Sequence, residues 1–342
     1  MKLLNTKTIK NAVFGAVLMA APAAALSSCD HFNEDLEPCP QGVELRFVYD
    51  YNMEFSNAFP SQVECLTVYI YDGEGRYIDS RVETGSVLKD ENWRMKLDLP
   101  AGEYSFVAYG GMACDKASFS YLTSPVGAPM HDLGVKLNAS LLTSPVGSPL
   151  HPLFYGRLES VTVTDADIAR VPATVYMMKD TNNIRILLQN VNGTPVVGSD
   201  YIFTITDNNT VLNWNNDVVP QPQATVYHPW TQGDIAADEN QVAQGGIAAF
   251  AEFDTSRLTL STSPTLSIVR ASDGANVLTI PLINYLIMLK SEHFAGMTNQ
   301  EFLDRESRWD MIFFIGPNAT WIQTSIIING WVVRINDIST GF

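Results

Sequence analysis

Apolar and polar residues alternate along most of this chain, with the period of two that is typical of β-strands buried on one face. Leu66, Val68 and Ile70 share one face of such a segment. The glycine-containing turn at 72–76 predicts a hairpin with the strand that begins at Tyr77. Similar patterns predict further strands at 43–49, 93–99, 104–109, 161–163, 173–178, 184–188, 201–206, 211–214, 225–228, 247–253, 265–268, 277–282, 311–315, 322–328 and 331–335.

The spacing of these strands predicts an all-β protein built from antiparallel β-sandwich domains, because no helical segment separates one strand from the next. One short helix is the exception: Thr298 and Glu301 have capping-box spacing and open it at 298–306. Acidic residues and Pro172 interrupt the apolar pattern between about 157 and 172. We therefore predict two domains, at 41–160 and 161–342, with the helix in the second.

The N-terminal 28 residues have the layout of an export signal, with three lysines followed by an apolar stretch from Ala12 to Leu26. Leu26-Ser27-Ser28-Cys29 resembles the lipobox of bacterial lipoproteins, in which the cysteine is acylated and becomes the mature N-terminus. We expect Cys29 to carry the lipid, palmitate included, and residues 29–40 to form an acidic tether that resembles surface-export signals. An ordinary secretory signal with an incidental cysteine is the alternative.

Charge excludes nucleic acid as the expected partner. The 342-residue chain has 21 basic and 37 acidic residues, a net charge of −16, and no basic cluster that could neutralise phosphates. Removal of residues 1–28 takes away three lysines and no acidic residue, which leaves a mature charge of −19. Hydrophobic residues at 46% are enough for a buried core, so the chain as a whole is not disordered.

Three cysteines remain after Cys29 in an oxidising compartment, where disulfides form. Cys39 and Cys114 lie in loop-like contexts beside proline or aspartate, so we predict that they pair and leave Cys65 as a free thiol on a strand. A metal site is not predicted, because the chain has no CxxC motif and its histidines are scattered.

A local duplication places Leu122–Gly127 and Leu142–Gly147 twenty residues apart, each followed by a histidine. His131 and His151 could form a metal pair, but two proline- and glycine-rich loops around a short strand are the simpler interpretation. Asp165 and Asp167 share one face and could supply acid and base, although nothing else in the sequence converges on them.

No catalytic motif is present: HExxH, the Walker loop and GxSxG are all absent from the sequence, so we predict neither an enzyme nor a cofactor. The six tryptophans suggest an alternative function, in which exposed rings bind glycan. Coplanar exposed rings at Trp93, Trp214 and Trp230 would favour glycan binding, and burial would favour a structural role. A hydrolase is a third hypothesis, for which no nucleophile and base can be named.

Several segments, in a shared order along nearly the whole mature chain, resemble the FimB-like fimbrial anchor lipoproteins of the Bacteroides group. These segments are Cys39–Val43 with Leu45–Phe47 and Tyr51–Met53, Leu66–Asp72, Pro152–Gly156, Met178–Ile184 and Ile328–Trp331.

The resemblance implies two tandem transthyretin-like domains and a subunit at the base of a fimbrium, which attaches the fibre to the outer membrane and limits its length. It also implies fimbrillin partners that bind by strand addition, in which a donated segment completes an open sheet edge. The chain ends at Phe342, soon after the last predicted strand, so we expect no long C-terminal donor segment.

Overall fold

Strands dominate the computed structural model of the chain, which confirms the predicted all-β class. The structure describes residues 41–142, 149–236, 246–290, 294–316, 321–328 and 331–333. Twenty strands are assigned in this part of the chain. They are β1 (Gly42–Val48), β2 (Cys65–Asp72), β3 (Tyr77–Thr84), β4 (Met95–Asp98), β5 (Gly102–Gly110), β6 (Phe119–Tyr121), β7 (Gly134–Leu137), β8 (Phe154–Val163), β9 (Val171–Lys179), β10 (Thr181–Asn190), β11 (Tyr201–Asp207), β12 (Val211–Asn213), β13 (Thr225–Tyr227), β14 (Thr231–Ala236), β15 (Ile247–Ser256), β16 (Thr265–Arg270), β17 (Asn276–Pro281), β18 (Arg308–Ile315), β19 (Trp321–Ile328) and β20 (Trp331–Val333).

Seven strands form the first sheet, in the order β3-β2-β5-β8-β9-β1-β4. Neighbouring strands are antiparallel except for β1 and β9, which run parallel with Val43 opposite Val171 and Val48 opposite Tyr176. The predicted hairpin is confirmed, since β2 and β3 pair with Cys65 opposite Thr84. The parallel pair departs from the predicted meander, because β1 and β9 lie far apart in sequence and alternation carries no information on strand order.

Residues from both ends of the first sheet meet in one apolar cluster, which we call the first core. Leu45 of β1, Val68 of β2, Phe106 of β5 and Val175 of β9 are all fully buried in it. Burial of apolar surface on this scale is the main force that stabilises such a sheet.

The remaining strands form three further sheets. Their orders are β14-β15-β10-β18-β19-β20, β13-β11-β16-β17 and β12-β7-β6. Within the six-stranded sheet, β10 lies between an antiparallel neighbour, β15, and a parallel one, β18. Buried residues of these sheets, among them Ile186, Phe253 and Trp309, form a second apolar cluster, the second core.

Three strands of the first sheet, β2, β5 and β8, contribute to both cores. Along β2, Leu66, Val68 and Ile70 face the first core, as the alternation predicts. Tyr69 and Tyr71 on the opposite face are also buried and belong to the second core. The sequence suggested a strand buried on one face only, whereas β2 is covered on both faces because the rest of the chain packs against it.

The predicted division between residues 160 and 161 falls inside β8, and β9 pairs with β1 of the same first sheet. The next strand, β10, belongs to the six-stranded sheet, so only Asp180 separates strands of the two sheets. We therefore propose Asp180 as the point at which a first domain ends. The two tandem transthyretin-like domains remain a prediction.

Three short α-helices occur in the described residues: α1 (Phe59–Gln62), α2 (Leu282–Ile287) and α3 (Asn299–Arg305). The predicted cap of α3 is confirmed, because the Thr298 hydroxyl accepts a hydrogen bond of 3.0 Å from the Glu301 amide. Helix α2 was not predicted. Its residues continue the apolar run of β17, and a short apolar run does not distinguish a strand from a buried helix.

Candidate functional site

Cys29, the predicted lipid site, lies outside the described residues. The rest of the acidic tether at 29–40, which includes Cys39, lies outside them as well. Lipidation of Cys29 therefore stays a prediction. Residues 336–342, which follow the last predicted strand, are outside as well. In the part of the chain that the structure does describe, we find no helix long and apolar enough to cross a membrane.

The predicted Cys39–Cys114 disulfide is wrong, because Cys114 is bonded to Cys65. Cys65 begins β2 and Cys114 follows β5, its antiparallel neighbour, so the two Cα atoms lie 5.6 Å apart. This separation is typical of disulfides. The sequence context favoured a loop partner, whereas the pairing of β2 with β5 decides which cysteines meet.

The two histidines of the duplicated segment have different neighbours in the structure. The His131 ring contacts Trp214, with 4.2 Å between ring centroids. His151 lies near Cys65 and Cys114, but the two sulfurs are bonded to each other and offer no thiolates to a metal. The second copy of the repeat falls largely outside the described residues, which resume at Pro149.

The acidic pair at the end of β8 has a structural role. The Asp167 carboxylate accepts hydrogen bonds from the Thr164 amide at 2.7 Å and the Thr164 hydroxyl at 3.0 Å, which holds the turn between β8 and β9. Asp165 is exposed beside it. Hydrogen bonds within a turn, without a converging base or nucleophile, match the solvated-loop interpretation.

One carboxyl that the sequence did not single out is fully buried at the junction of the first sheet and the six-stranded sheet. Asp180 accepts a hydrogen bond of 2.8 Å from the Asn216 amide, and its other oxygen has no partner among the described residues. Arg257 lies near, but it forms a bidentate pair with Asp304, at 2.8 and 2.9 Å. Burial raises the pKa of Asp180 to about 7. A group that solvent cannot reach does not act on a substrate, so Asp180 is a structural carboxyl.

The three tryptophans named for glycan binding do not form a platform. Trp93 stacks on Phe47 of the first core. Trp214 is covered by the Arg157 guanidinium at 4.7 Å, and Trp230 is partly buried in a different part of the chain. Rings that are covered and separated in this way favour a structural role.

Open strand edges are the features that could bind another subunit. Within the described residues, β3 and β4 border the first sheet, and the other sheets end at β14, β20, β13, β17, β12 and β6. Strand β3 has eight residues, whereas β14 and β17 have six and β4 has four. An edge offers one unpaired set of main-chain donors and acceptors along its length, so β3 offers the longest such set.

The side chains of β3 also favour contact with a partner. Ile78 and Val82 are 42% and 57% exposed, and Ile78 lies at a β-bulge, where it has no partner on β2. Asp79 and Arg81 form an ion pair on the face opposite to Val82. An exposed apolar pair on an edge strand is unusual, because natural edges are commonly protected by charge.

Comparison with known families decides the identity of the chain. Residues 36–337 match the family of fimbrillin-A associated anchor proteins Mfa1 and Mfa2. The chain belongs to this family. Membership confirms the resemblance to fimbrial anchor proteins and assigns the chain a fimbrial accessory role at the cell envelope.

Solved structures support this assignment. A candidate adhesin of Bacteroides thetaiotaomicron is 48% identical, with a TM-score of 0.81 over 88% of this chain and 100% of that one. A candidate polysaccharide-binding protein of the same organism is 30% identical, with a TM-score of 0.73 over 86% and 98%. The fimbrial anchor protein Mfa2 of Porphyromonas gingivalis shares the fold at 17% identity, with a TM-score of 0.64 over 86% and 99%. A search of curated protein sequences gives no significant match.

Proposed function

We propose that this protein is the lipid-anchored subunit that attaches a fimbrium to the outer membrane, faces the cell surface and limits the length of the fibre. The family match over residues 36–337 is the observation that carries the proposal. The mature protein would bind fimbrillin through a sheet edge and the membrane through its N-terminus. The function requires neither catalysis nor a cofactor.

Membrane attachment is assigned to Cys29, followed by the acidic tether. Acyl chains on this cysteine would hold the protein firmly, since each buried CH₂ group contributes about 0.8 kcal/mol and two or more chains are enough for stable anchoring. We expect Cys29→Ala to move the protein from the membrane fraction to the soluble envelope fraction and to abolish labelling by a palmitate analogue. Membrane retention of this variant with unchanged labelling would refute lipidation at Cys29.

Fimbrillin binding is assigned to the β3 edge. A donated strand that pairs with β3 would gain main-chain hydrogen bonds along eight residues, and it would cover Ile78 and Val82. The length of β3 and the exposure of these two side chains support this edge over the shorter ones.

Deletion of the gene followed by electron microscopy of the cells tests the anchor function. We expect shed or abnormally long fibres, because neither attachment nor length control would operate. Fibres of unchanged length that stay on the cells would contradict the proposal.

Lysine substitutions test the edge. We expect Ile78→Lys combined with Val82→Lys to release fibres, because two charges on the acceptor edge oppose strand addition. Val226→Lys is the matched control, since Val226 is 40% exposed on the edge strand β13 of another sheet. Both variants should fold and reach the membrane. Normal fibre retention by the double variant would exclude β3 as the acceptor.

A further inference from the structure

An open groove of about 430 Å³ lies beside the first sheet, and none of the residues that line it belongs to β3. Three parts of the chain line the groove: the loop after β1, the paired ends of β8 and β9, and the turn after β12. A volume above about 300 Å³ is in the range of ligand-binding clefts.

The groove follows from the way two strands separate. Strands β8 and β9 pair over only three residues each, from Phe154 opposite Lys179 to Gly156 opposite Met177. Beyond Gly156, β8 continues beside β5, whereas β9 continues beside β1. The divergence leaves a space between the two strands that side chains line.

Aromatic rings line this space. Tyr176 is 64% exposed, an uncommon exposure for a tyrosine within a central strand. Tyr51 is held in place by the Arg305 guanidinium, 4.1 Å from its ring centroid, and Arg305 is itself paired with Glu301 at 2.9 Å. Tyr155 donates a hydrogen bond of 2.7 Å to the Trp214 carbonyl. Two of the three rings are therefore fixed before any ligand binds.

Two polar groups in the groove have hydrogen-bonding capacity that a ligand can use. No described residue donates a hydrogen bond to the Asp50 carboxylate. Arg157 adds no donor, because its Nε pairs with Glu159 at 3.3 Å, its guanidinium stacks on Trp214 and its Nη1 is buried. The Asn215 amide donates to Asp217 at 2.9 Å, which leaves its carbonyl oxygen available. The groove thus offers two acceptors, on Asp50 and Asn215.

The balance of charges indicates the class of ligand. Arg157 is paired with Glu159, which leaves Asp50 as the one charged group of the lining without an ion pair among the described residues, so the lining does not favour an anion. A ligand that suits it has an apolar face that stacks on the exposed Tyr176 ring and hydroxyl groups that donate hydrogen bonds to Asp50 and Asn215. Neutral sugars have this combination.

We propose that this groove binds a neutral saccharide. The site is separate from the sheet edge assigned to fimbrillin and does not depend on the anchor function. It differs from the glycan hypothesis drawn from the sequence, since tyrosines rather than Trp93, Trp214 and Trp230 provide the rings.

The test uses the full-length protein in detergent, with maltotetraose, xylotetraose, mannotetraose and chitotetraose as probes. We expect at least one to bind with a Kd of about 1 mM or tighter by calorimetry, with saturation transfer to its C–H protons in NMR. Tyr176→Ala should weaken binding at least about tenfold, and Tyr176→Phe should retain it because the ring remains. Asp50→Asn should weaken it less than Asp50→Ala, since the amide keeps one acceptor.

Ile202→Ala is the matched control, because Ile202 is 48% exposed on β11 and does not line the groove. All variants are checked for unchanged melting temperature. Binding of none of the four sugars, binding only of trigalacturonate or of a short extended peptide, or sugar binding that Tyr176→Ala leaves unchanged would overturn the proposal. Fibre retention should be normal in the groove variants and sugar binding normal in the β3 variants, so the two proposals fail separately.

Discussion

The two cores of this protein differ in polarity. The first core is formed by apolar side chains such as Leu45 and Phe106, with few buried polar groups near them. The second core lies among fully buried polar residues, including Asp180, Asn209 and Thr255. Apolar contacts tolerate many arrangements, whereas each buried polar group requires a partner at a defined distance and angle.

The second core therefore tolerates fewer substitutions than the first, because its buried polar groups need specific partners. Asn209 donates to the Arg257 carbonyl at 2.9 Å and accepts from the Tyr227 hydroxyl at 2.6 Å, so it joins three parts of the second half. Near the first core, the buried Asn52 side chain donates only to two carbonyls of its own loop. We expect substitutions in the second core to affect stability and its pH dependence, and those in the first to act through packing and the disulfide.

Trp309→Ala, in the second core, should have the greatest effect on stability. Trp309 is 1% exposed, packs edge-on against Phe302 and donates a hydrogen bond of 3.2 Å to Asn182. Removing it should cost about 3–5 kcal/mol of unfolding free energy, measured by urea denaturation. Trp93→Ala, at the margin of the first core, should cost less. Equal losses would contradict the distinction between the cores.

A second prediction concerns pH. The pKa of Asp180 is about 7 in the folded state, whereas in the unfolded chain its pKa is near 3.8. As the pH rises, Asp180 ionises first in the unfolded chain, which lowers the free energy of the unfolded state. The free energy of unfolding therefore falls between about pH 4 and pH 7. Asp180→Asn cannot ionise, so its stability relative to wild type should rise over that window, by on the order of 4 kcal/mol, and stay constant above it.

Thermal unfolding from pH 4 to pH 8 measures this difference. Asp98→Asn is the control, because the Asp98 side chain is 80% exposed and pairs with Arg170 at the surface. Parallel stability curves for wild type and Asp180→Asn would show that Asp180 does not titrate in this range.

Loss of the disulfide should have the next greatest effect, and it tests the first half of the chain. Cys65→Ser with Cys114→Ser opens a loop of 49 residues, which should cost about 2–4 kcal/mol of unfolding free energy. Mass spectrometry of the non-reduced protein should detect a peptide pair containing these two cysteines. A pair containing Cys39 and Cys114 would restore the pairing predicted from the sequence.

The smallest effect is expected at the cap of α3. Thr298→Ala removes the hydroxyl that accepts from the Glu301 amide and should cost about 1 kcal/mol, whereas Thr298→Ser should cost only part of that. Chemical denaturation of the two variants side by side checks the ranking. A loss in the serine variant as large as in the alanine variant would mean that the cap contributes little.

Local patterns predicted much of the fold. The β2–β3 hairpin, the strand predicted at 311–315 and the α3 cap all depend on residues a few positions apart, and the structure confirms them, with the strand beginning three residues earlier, at Arg308. The failures share a different cause. The buried outer face of β2, the helix after β17 and the partner of Cys114 depend on which distant segments pack there.

The candidate sites show the same division. The strand β3 was predicted, but its position at a sheet edge depends on the order of seven strands. The groove joins Asp50, Tyr176 and Asn215, which are far apart along the chain and share no motif. No sequence signal could have found it, apart from a tyrosine at an outward position of a strand.

Side-chain periodicity, turn residues and short motifs were enough to predict the all-β class, most strand positions, the capped helix and the family, because they act over a few residues. Tertiary packing was needed to establish that three strands contribute to both cores, that Cys65 bonds Cys114, that β3 is an edge and that a tyrosine groove opens between β8 and β9. Strand order and packing bring these residues together, and alternation along one strand is compatible with many such orders.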